Sequence, residues 1–434
     1  HGSRGLGDVY KRQEEDGLGL RPNIGLRGTG SLRMEKLNVM EDGVLIAPAP
    51  YASPAAYYSP TAGRMESIEV RKGSTQIKHG PFTTGGSLNY ISTPIPSSKL
   101  NSVSLDIGSF GKTLMQVRSG DVLGNFAYLI ELYSDKTDGF KELDGGGDTG
   151  YGKTDFMTKL RYSFSESHAL EFKYSMTDEL SDETYLGLTD ADFSENPLRR
   201  YRATALDEMD ADHSQIMLSY AAKLNDNMSL AVVGYSNDFA RNWYKLNKVN
   251  GMSLSSISKP TADGWNEFYL LMNAENSADD AYRIKANNRE YYSSGIQAVF
   301  NVLAGDHDIQ AGLRIHSDEM DRFQWEDRYG MQSGQLVMTT QATKGSDSNR
   351  IDSAEATALF VEDRFTTGAM TITAGARYEE ITVKRDDWGK TDPDRSETPS
   401  KREHTIDVVV PGIGVEYAIN AVSYTHLTLP TKDS

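Results

Sequence analysis

The sequence predicts an all-β membrane protein, a partial transmembrane antiparallel β-barrel that follows a small α/β domain. Three observations carry this prediction. Several segments alternate apolar and polar residues. The connections between them are alternately short turns and long polar segments. No run of about 18 apolar residues offers a transmembrane helix. A mean hydropathy of -0.53 agrees with barrel strands, because only one face of each strand is apolar.

The N-terminal domain is predicted from residues 64–93, which read as strand, glycine turn, short helical turn, glycine pair and strand. Ile68 and Val70 alternate with Glu69 and Arg71, which is the period of a half-buried strand. The pair Gly85-Gly86 marks a tight path, because glycine tolerates positive φ and close backbone approach. The segment therefore predicts a compact unit ahead of the hairpins.

The barrel prediction is clearest in residues 170–176. Alternate side chains form an apolar face of Leu170, Phe172, Tyr174 and Met176 and a polar face of Glu171, Lys173 and Ser175. In a bilayer the apolar face meets lipid and the polar face lines the lumen. Residues 370–378 repeat this pattern.

The connections predict the hairpin layout. Predicted short turns are 119–121, 165–167, 225–227, 304–306 and 366–368, and predicted long loops are 138–152, 179–209, 240–289, 319–351 and 385–404. This layout is typical of outer-membrane barrels, with periplasmic turns and extracellular loops. We expect about twelve strands between residues 100 and 418, whereas a plugged transporter barrel has about 22. The expectation is therefore a fragment of a barrel.

The two ends of the chain carry no barrel or domain pattern. Residues 1–13 show no signal-peptide pattern, and residues 423–434 do not continue the strand alternation. We expect both segments to be ends foreign to the rest of the chain, with ordinary divergent termini as the alternative.

Residues 64–93 resemble the end of the plug domain of TonB-dependent outer-membrane receptors. Residues 25–28 resemble that family's IRG element, and residues 39–44 resemble its VLLDGVP strand, in the family's order. The resemblance implies that residues 14–97 are the C-terminal part of the plug and residues 98–422 the N-terminal part of the barrel. It also implies a signal peptide, a TonB-contacting box and a first half of the plug, none of which is visible before Gly17.

Further segments are similar to the ferric dicitrate branch of the family. The proline-rich segment 47–60 is predicted to be a stiff loop and stands where the family has an apex loop of the plug. Residues 183–189 and 196–201 resemble a long extracellular loop of that branch, and residues 360–364 and 375–379 resemble family strand signatures.

The charge pattern suggests where a substrate binds. The net charge of -17 argues against nucleic acid as a partner, but local fields can still attract an anion. Arginine suits carboxylates, and aromatic rings can form a rigid wall for a chelate. The candidate substrate-binding residues are therefore Arg33, Tyr51, Tyr57, Tyr58, Arg199, Arg200 and Arg202. The alternatives are that the arginines pair with nearby acids such as Asp207 and Asp210 or bind lipopolysaccharide phosphates, and that the tyrosines pack the plug against the barrel.

The resemblance implies active import of an iron chelate, ferric dicitrate or a related siderophore, across the outer membrane of a Gram-negative bacterium. Its partners would be the chelate, the TonB complex and outer-membrane lipid, with iron present only as part of the cargo and no cofactor. The alternatives are a passive pore or adhesin, or a TonB-dependent receptor for a ligand without iron. An enzyme is not expected, since the scattered histidines form no metal-ligand spacing and residues 135–148 lack the order of a calcium loop.

Overall fold

The computed structural model describes residues 10–14, 17–72, 77–80, 85–257, 265–273, 275–420 and 423–428. It consists of a small N-terminal domain and a large, curved antiparallel sheet. The small domain lies against the concave face of the large sheet, where its apolar residues share a core cluster with Met209, Phe239 and Tyr291 of the sheet. This is the arrangement predicted for a plug inside a barrel.

The plug domain contains six strands. They are β1 (Tyr10–Glu14), β2 (Pro22–Leu26), β3 (Leu37–Glu41), β4 (Val44–Leu45), β5 (Met65–Arg71) and β6 (Gly86–Ser92). A four-stranded sheet has the order β4-β3-β6-β5, with β3 and β6 parallel, and β1 pairs with β2. In the described part of this domain, helical structure is limited to two 3-10 turns, Leu32–Met34 and Ala62–Arg64.

One expectation for this domain is wrong. Strand β5 forms as predicted, but Ile68 and Val70 are about half exposed and do not pack into a core. The helical turn predicted between the glycines falls mostly on residues 73–76 and 81–84, outside the described residues.

The large sheet and its loops contain all remaining elements. They are β7 (Leu100–Ile107), β8 (Thr113–Leu123), β9 (Phe126–Thr137), β10 (Glu142–Leu143), β11 (Tyr151–Ser165), β12 (His168–Ser181), α1 (Asp190–Glu195), β13 (Arg199–Arg200), β14 (Glu208–Asn225), β15 (Met228–Val249), β16 (Met252–Ser253), α2 (Leu254–Ile257), α3 (Trp265–Asn273), β17 (Tyr282–Ala304), β18 (His307–Gln332), β19 (Gln335–Thr340), β20 (Ser348–Thr367), β21 (Met370–Asp387), β22 (Ser400–Asn420) and β23 (Ser423–Thr428).

Consecutive long strands of this sheet pair antiparallel in the order β7-β8-β9-β11-β12-β14-β15-β17-β18-β20-β21-β22-β23. Twelve of these strands lie between Leu100 and Asn420, which confirms the predicted number. The short turns at 165–167, 225–227, 304–306 and 366–368 are also confirmed.

Three predictions about segments differ from the structure. Residues 119–121 lie inside β8, and the turn follows at Gly124 and Asn125. Much of the predicted long loops is strand, because β15, β17 and β18 continue far beyond their apolar parts. Residues 423–428 form β23 and pair with β22, although their sequence does not alternate apolar and polar residues.

The two faces of the sheet have the predicted chemistry. In β12, Lys173 and Ser175 are buried on the side of the plug, while Met176 is exposed on the other side. Exposed apolar side chains such as Ile216, Leu218 and Ile315 continue the outer face across neighbouring strands. The lumen face, however, is not simply wet, because the plug fills it. None of the described helices is long and apolar enough to cross a membrane.

Candidate functional site

A group of charged residues joins the plug to β11 and β12, and we call it the ion clasp: Glu41, Asp42, Arg64, Asp155 and Lys173. Arg64 Nη1 lies 2.7 Å and Lys173 Nζ 2.6 Å from Glu41 Oε1. Lys173 Nζ also lies 2.7 Å from Asp42 Oδ2, and Arg64 Nε donates to Asp155 Oδ1 at 3.3 Å. Every positive charge in this clasp therefore has a carboxylate partner.

Burial alone would raise the pKa of Glu41, but the charges of Arg64 and Lys173 outweigh it and hold that pKa below its usual value. Glu41 is therefore an ionised carboxylate at neutral pH, even though its side chain is fully buried. The clasp consists of ions and not of neutral hydrogen bonds.

The proline-rich segment 46–60 forms the apex loop of the plug, as predicted. Its base is closed by the hydrogen bond from Ile46 N to Val39 O at 2.9 Å. The backbone amides of Tyr51 and Ala52 donate to Asp318 of β18 at 2.7 and 2.9 Å. The loop is thus fixed to the barrel wall on one side, and its remaining part reaches the wall formed by β15 and β17.

Tyr57, near the end of this loop, is surrounded by guanidinium groups. The guanidinium carbon of Arg241 lies 3.9 Å from the centre of the Tyr57 ring, that of Arg33 4.6 Å and that of Arg289 5.5 Å. Arg33 is also 5.4 Å from the ring of Trp243. Stacking of guanidinium groups on aromatic faces is favourable and holds these side chains beside the apex loop.

The barrel arginines at this level form a row across four adjacent strands. Arg241 of β15 stands opposite Arg289 of β17, which stands opposite Arg322 of β18, which stands opposite Arg350 of β20. Directly opposed residues of paired strands lie on the same face, at about 5 Å spacing. We call these four residues the arginine row.

Most of this row has no carboxylate partner. Arg350 pairs with Asp352 at 3.0 Å. Within the described residues, no ion pair joins Arg241, Arg289 or Arg322 to an acid, and Nε and Nη2 of Arg241 are buried without a hydrogen-bond acceptor. Like charges directly opposite each other destabilise a sheet, so this row costs stability in the described structure.

The predicted aromatic residues separate into two groups. Tyr57 lies in the arginine-lined site together with Arg33. Tyr51 and Tyr58 are buried between plug and wall: the Tyr51 hydroxyl donates to Glu379 at 3.2 Å, and the Tyr58 ring stacks on His213 at 3.7 Å. The geometry favours packing for these two tyrosines, which was the alternative considered from the sequence.

The predicted extracellular arginines have partners in their own and in neighbouring loops. Arg199 pairs with Asp144 at 3.0 Å and with Asp192 at 2.7 Å. Arg200 is buried and donates to the backbone carbonyls of residues 182, 204 and 207, while Arg202 donates to those of residues 146 and 334. These contacts order the extracellular loops, and they leave little of Arg199 and Arg200 to meet a substrate.

The sequence analysis missed Arg241, Arg289, Arg322 and Trp243, which the structure brings together with Arg33 and Tyr57. Nothing in their local sequence connects them, because they lie on different strands. One signal was present: each arginine of the row lies 13–17 residues from the short turn at its strand's other end. Equal distances from such turns place residues at similar heights in a barrel.

A plugged antiparallel barrel with an arginine-lined apex defines a class of outer-membrane receptor. The family model described as TonB dependent receptor-like, beta-barrel, matches residues 167–426. The chain therefore belongs to the TonB-dependent receptor family, which places it in the outer membrane of a Gram-negative bacterium.

Solved structures support the same fold. The ferric citrate transporter FecA, in the unliganded form, is 19% identical with a TM-score of 0.71, over 96% of this chain and 57% of that one. The ferric-catecholate import receptor Fiu from E. coli, open form, is 14% identical with a TM-score of 0.68, over 96% of this chain and 64% of that one. The ferric yersiniabactin uptake receptor FyuA from Yersinia pestis is 13% identical with a TM-score of 0.68, over 95% and 58%. The chain thus spans about three fifths of the length of these structures.

Proposed function

We propose that this receptor imports an anionic iron chelate of the ferric dicitrate type, with energy supplied through the TonB complex. The observation that carries the proposal is the arginine row beside Tyr57 and Arg33, in which three opposed barrel arginines have no carboxylate partner in the described chain. A chelate that presents several carboxylates would supply those partners.

The chemistry of the site fits a polycarboxylate. Guanidinium groups donate two parallel hydrogen bonds to one carboxylate, and such charge-assisted bonds are stronger than neutral ones. Neighbouring arginines about 5 Å apart can engage different carboxylates of one chelate. The Tyr57 ring supplies a flat apolar surface beside them.

The resemblance of residues 47–60 and 183–189 to the dicitrate branch supports the same substrate class. The plug fixed in the lumen by buried ion pairs favours gated import over a passive pore or an adhesin. In the proposed cycle, the chelate docks on the apex, the extracellular loops close over it, and TonB uses the inner-membrane proton gradient to rearrange the plug.

Binding measurements with receptor assembled in outer membranes test this proposal. Arg241→Gln and Arg289→Gln should each weaken the binding of ferric dicitrate about 10- to 100-fold, because a lost charged hydrogen bond in a closed site costs about 1.5–3 kcal/mol. Arg199→Gln is the matched control, since Arg199 is already paired with Asp144 and Asp192. It should change the affinity little.

The choice of probe separates the alternatives. Preference for a neutral hydroxamate chelate over ferric dicitrate would overturn the dicitrate assignment. Equal binding of citrate with and without iron would favour a ligand without iron. If only Arg199→Gln lost affinity, the substrate would be bound by the extracellular loop arginines and not by the arginine row.

A further inference from the structure

Two neighbouring tyrosines of the apex loop face different parts of the molecule. Tyr57 faces the arginine row, with Arg241 3.9 Å from its ring centre. Tyr58 faces the ion clasp, and Arg64 Nη2 donates to its hydroxyl at 3.3 Å. The same hydroxyl lies 3.3 Å from Thr177 Oγ1 of β12. One peptide unit therefore separates the candidate substrate site from the buried ions that hold the plug.

The ion clasp closes the base of the same loop. Glu41 precedes the apex loop and Arg64 follows it, and the two side chains bond to each other through both guanidinium nitrogens, at 2.7 and 3.0 Å. Thr61, at the end of the loop, donates to Asp155 at 2.7 Å. A displacement of the loop therefore changes the geometry of the clasp.

The loop between these points is stiff. Pro48, Pro50, Pro54 and Pro60 fix φ at four positions of the segment. Tyr51 and Ala52 are held by Asp318, so one half of the loop cannot absorb movement of the other. These constraints leave the segment between Pro54 and Pro60, which carries Tyr57 and Tyr58, as the part of the loop that can move.

We propose that Tyr58 is a positioning residue that couples occupancy of the arginine row to the ion clasp. When an anion draws the guanidinium groups from Tyr57, the ring resettles and Tyr58 shifts against Arg64. The hydrogen bond between the Tyr58 hydroxyl and Arg64 then changes, and with it the bonds that the Arg64 guanidinium makes to Glu41 and Asp155. This inference rests on the proposed function for the identity of the anion, but the coupling itself lies in this chain's own contacts.

Coupling of this kind is reciprocal, so a change in the clasp must also change the affinity for the anion. Tyr58→Phe removes the hydroxyl and keeps the ring that stacks on His213. Tyr51→Phe is the matched control, because it removes a buried tyrosine hydroxyl bonded to Glu379 on the other side of the loop. Both changes remove one buried phenolic hydroxyl, and only the first touches the clasp.

Amide hydrogen exchange of receptor in outer membranes, with and without ferric dicitrate, tests the coupling. In the unchanged receptor and in Tyr51→Phe, ferric dicitrate should alter exchange at residues 39–45 and 61–65. In Tyr58→Phe this response should disappear, and affinity should fall about two- to tenfold, as for one neutral hydrogen bond. Lys173→Met removes the cation that the barrel contributes to the clasp. Combined with Tyr58→Phe, it should lower the affinity little beyond the loss in Tyr58→Phe alone.

A second measurement does not depend on the chelate. Arg241→Gln removes the cation nearest to Tyr57 and should change exchange at residues 61–65 in the absence of any ligand. The same substitution in a Tyr58→Phe background should leave exchange there unchanged. A response of the clasp that persists in Tyr58→Phe, in either experiment, would overturn the coupling. Failure of ferric dicitrate to bind the unchanged receptor would overturn only the proposed substrate.

Discussion

The charged residues on the two sides of the lumen differ in whether they form ion pairs. On the side of β11 and β12, Lys173 and the plug residue Arg64 each contact a carboxylate at hydrogen-bonding distance. On the side of β15, β17 and β18, Arg241, Arg289 and Arg322 stand opposite one another, and within the described residues no ion pair joins them to an acid. The paired charges hold the plug to the wall, whereas the opposed arginines are the ones to which the proposed function assigns the ligand.

Because of this difference, removing a charge from the ion clasp and removing one from the arginine row should change the stability of the protein in opposite directions. Removing one member of a buried ion pair leaves its partner uncompensated. Removing one member of a row of like charges relieves repulsion. The following predictions use these opposite signs.

The largest effect is expected for Glu41→Gln. The change leaves Arg64 and Lys173 buried with one carboxylate fewer, so the plug should lose about 3–5 kcal/mol of stability. Protease cleavage of the plug in outer membranes, measured over a denaturant series, would show the loss. Glu66→Gln is the control, because Glu66 is exposed on β5 and should behave like the unchanged protein.

Phe172→Arg tests whether charge on β12 is confined to the lumen side. Phe172 lies on the face opposite the buried Lys173, so the new charge would meet lipid. The expected cost is about 2–4 kcal/mol near the bilayer midplane, seen as reduced heat-resistant barrel in a membrane-assembly assay. Phe172→Leu should assemble normally, and equal assembly of both variants would contradict the assignment of the lipid face.

Asp207 is a buried acid outside the plug, in the extracellular loops, and it should make the stability of those loops depend on pH. Burial raises the pKa of Asp207 to about 6, although Thr184 and the amide of Leu246 donate to its carboxylate. Because the folded-state pKa is raised, the protonated form is favoured in the folded loop. Its contribution to stability is present at about pH 4 and is lost as the pH rises to about 6, by at most about 3 kcal/mol.

Amide exchange at residues 182–207, corrected for intrinsic rates, should therefore show less opening at pH 4.5 than at pH 7. Asp207→Asn should remove most of that dependence. Greater opening at pH 4.5 than at pH 7 would have the wrong sign and would contradict the raised pKa.

The smallest effect is expected for Arg289→Gln without ligand. Removing one opposed cation should leave the stability of the plug unchanged or raise it by about 0.2–1 kcal/mol. The same denaturant series that reports on Glu41→Gln measures it. Arg289 donates to the Tyr291 hydroxyl at 3.3 Å, which is a neutral contact. A loss of stability well beyond one neutral hydrogen bond would mean that Arg289 is held by an acid, and the distinction between the two sides would fail.

The sequence predicted the parts of the fold whose two faces meet different surroundings. Residues 170–176 alternate because one face meets lipid and the other the lumen, so β12 could be recognised. The upper parts of β15, β17 and β18 have no lipid on either face, and their sequences therefore resemble polar loops. Turn-forming residues predicted four of the five turns correctly. The fifth turn was expected at Ser119-Gly120, but these residues lie inside β8.

Only part of the candidate site could be predicted from local sequence. Arg33 and Tyr57 were found because the resemblance identified the apex of the plug. Arg241 and Arg289 were not, since their neighbourhood depends on strand register over dozens of intervening residues. Arg199 and Arg200 looked like a binding cluster in sequence, but Asp144 of a neighbouring loop and the backbone of their own loop supply their acceptors.

The length of the strands sets how far the cargo must travel. Arg322 lies 15 residues from the start of β18 at His307. At about 3.3 Å per residue and a tilt of about 40°, that distance corresponds to a height of roughly 35–40 Å above the periplasmic turns. The apolar band of such barrels is about 25 Å tall, so the arginine row lies above the hydrocarbon. Under the proposed function, a chelate bound at that height would be captured outside the hydrocarbon, and the whole bilayer thickness would be crossed in a later step, once the plug has moved.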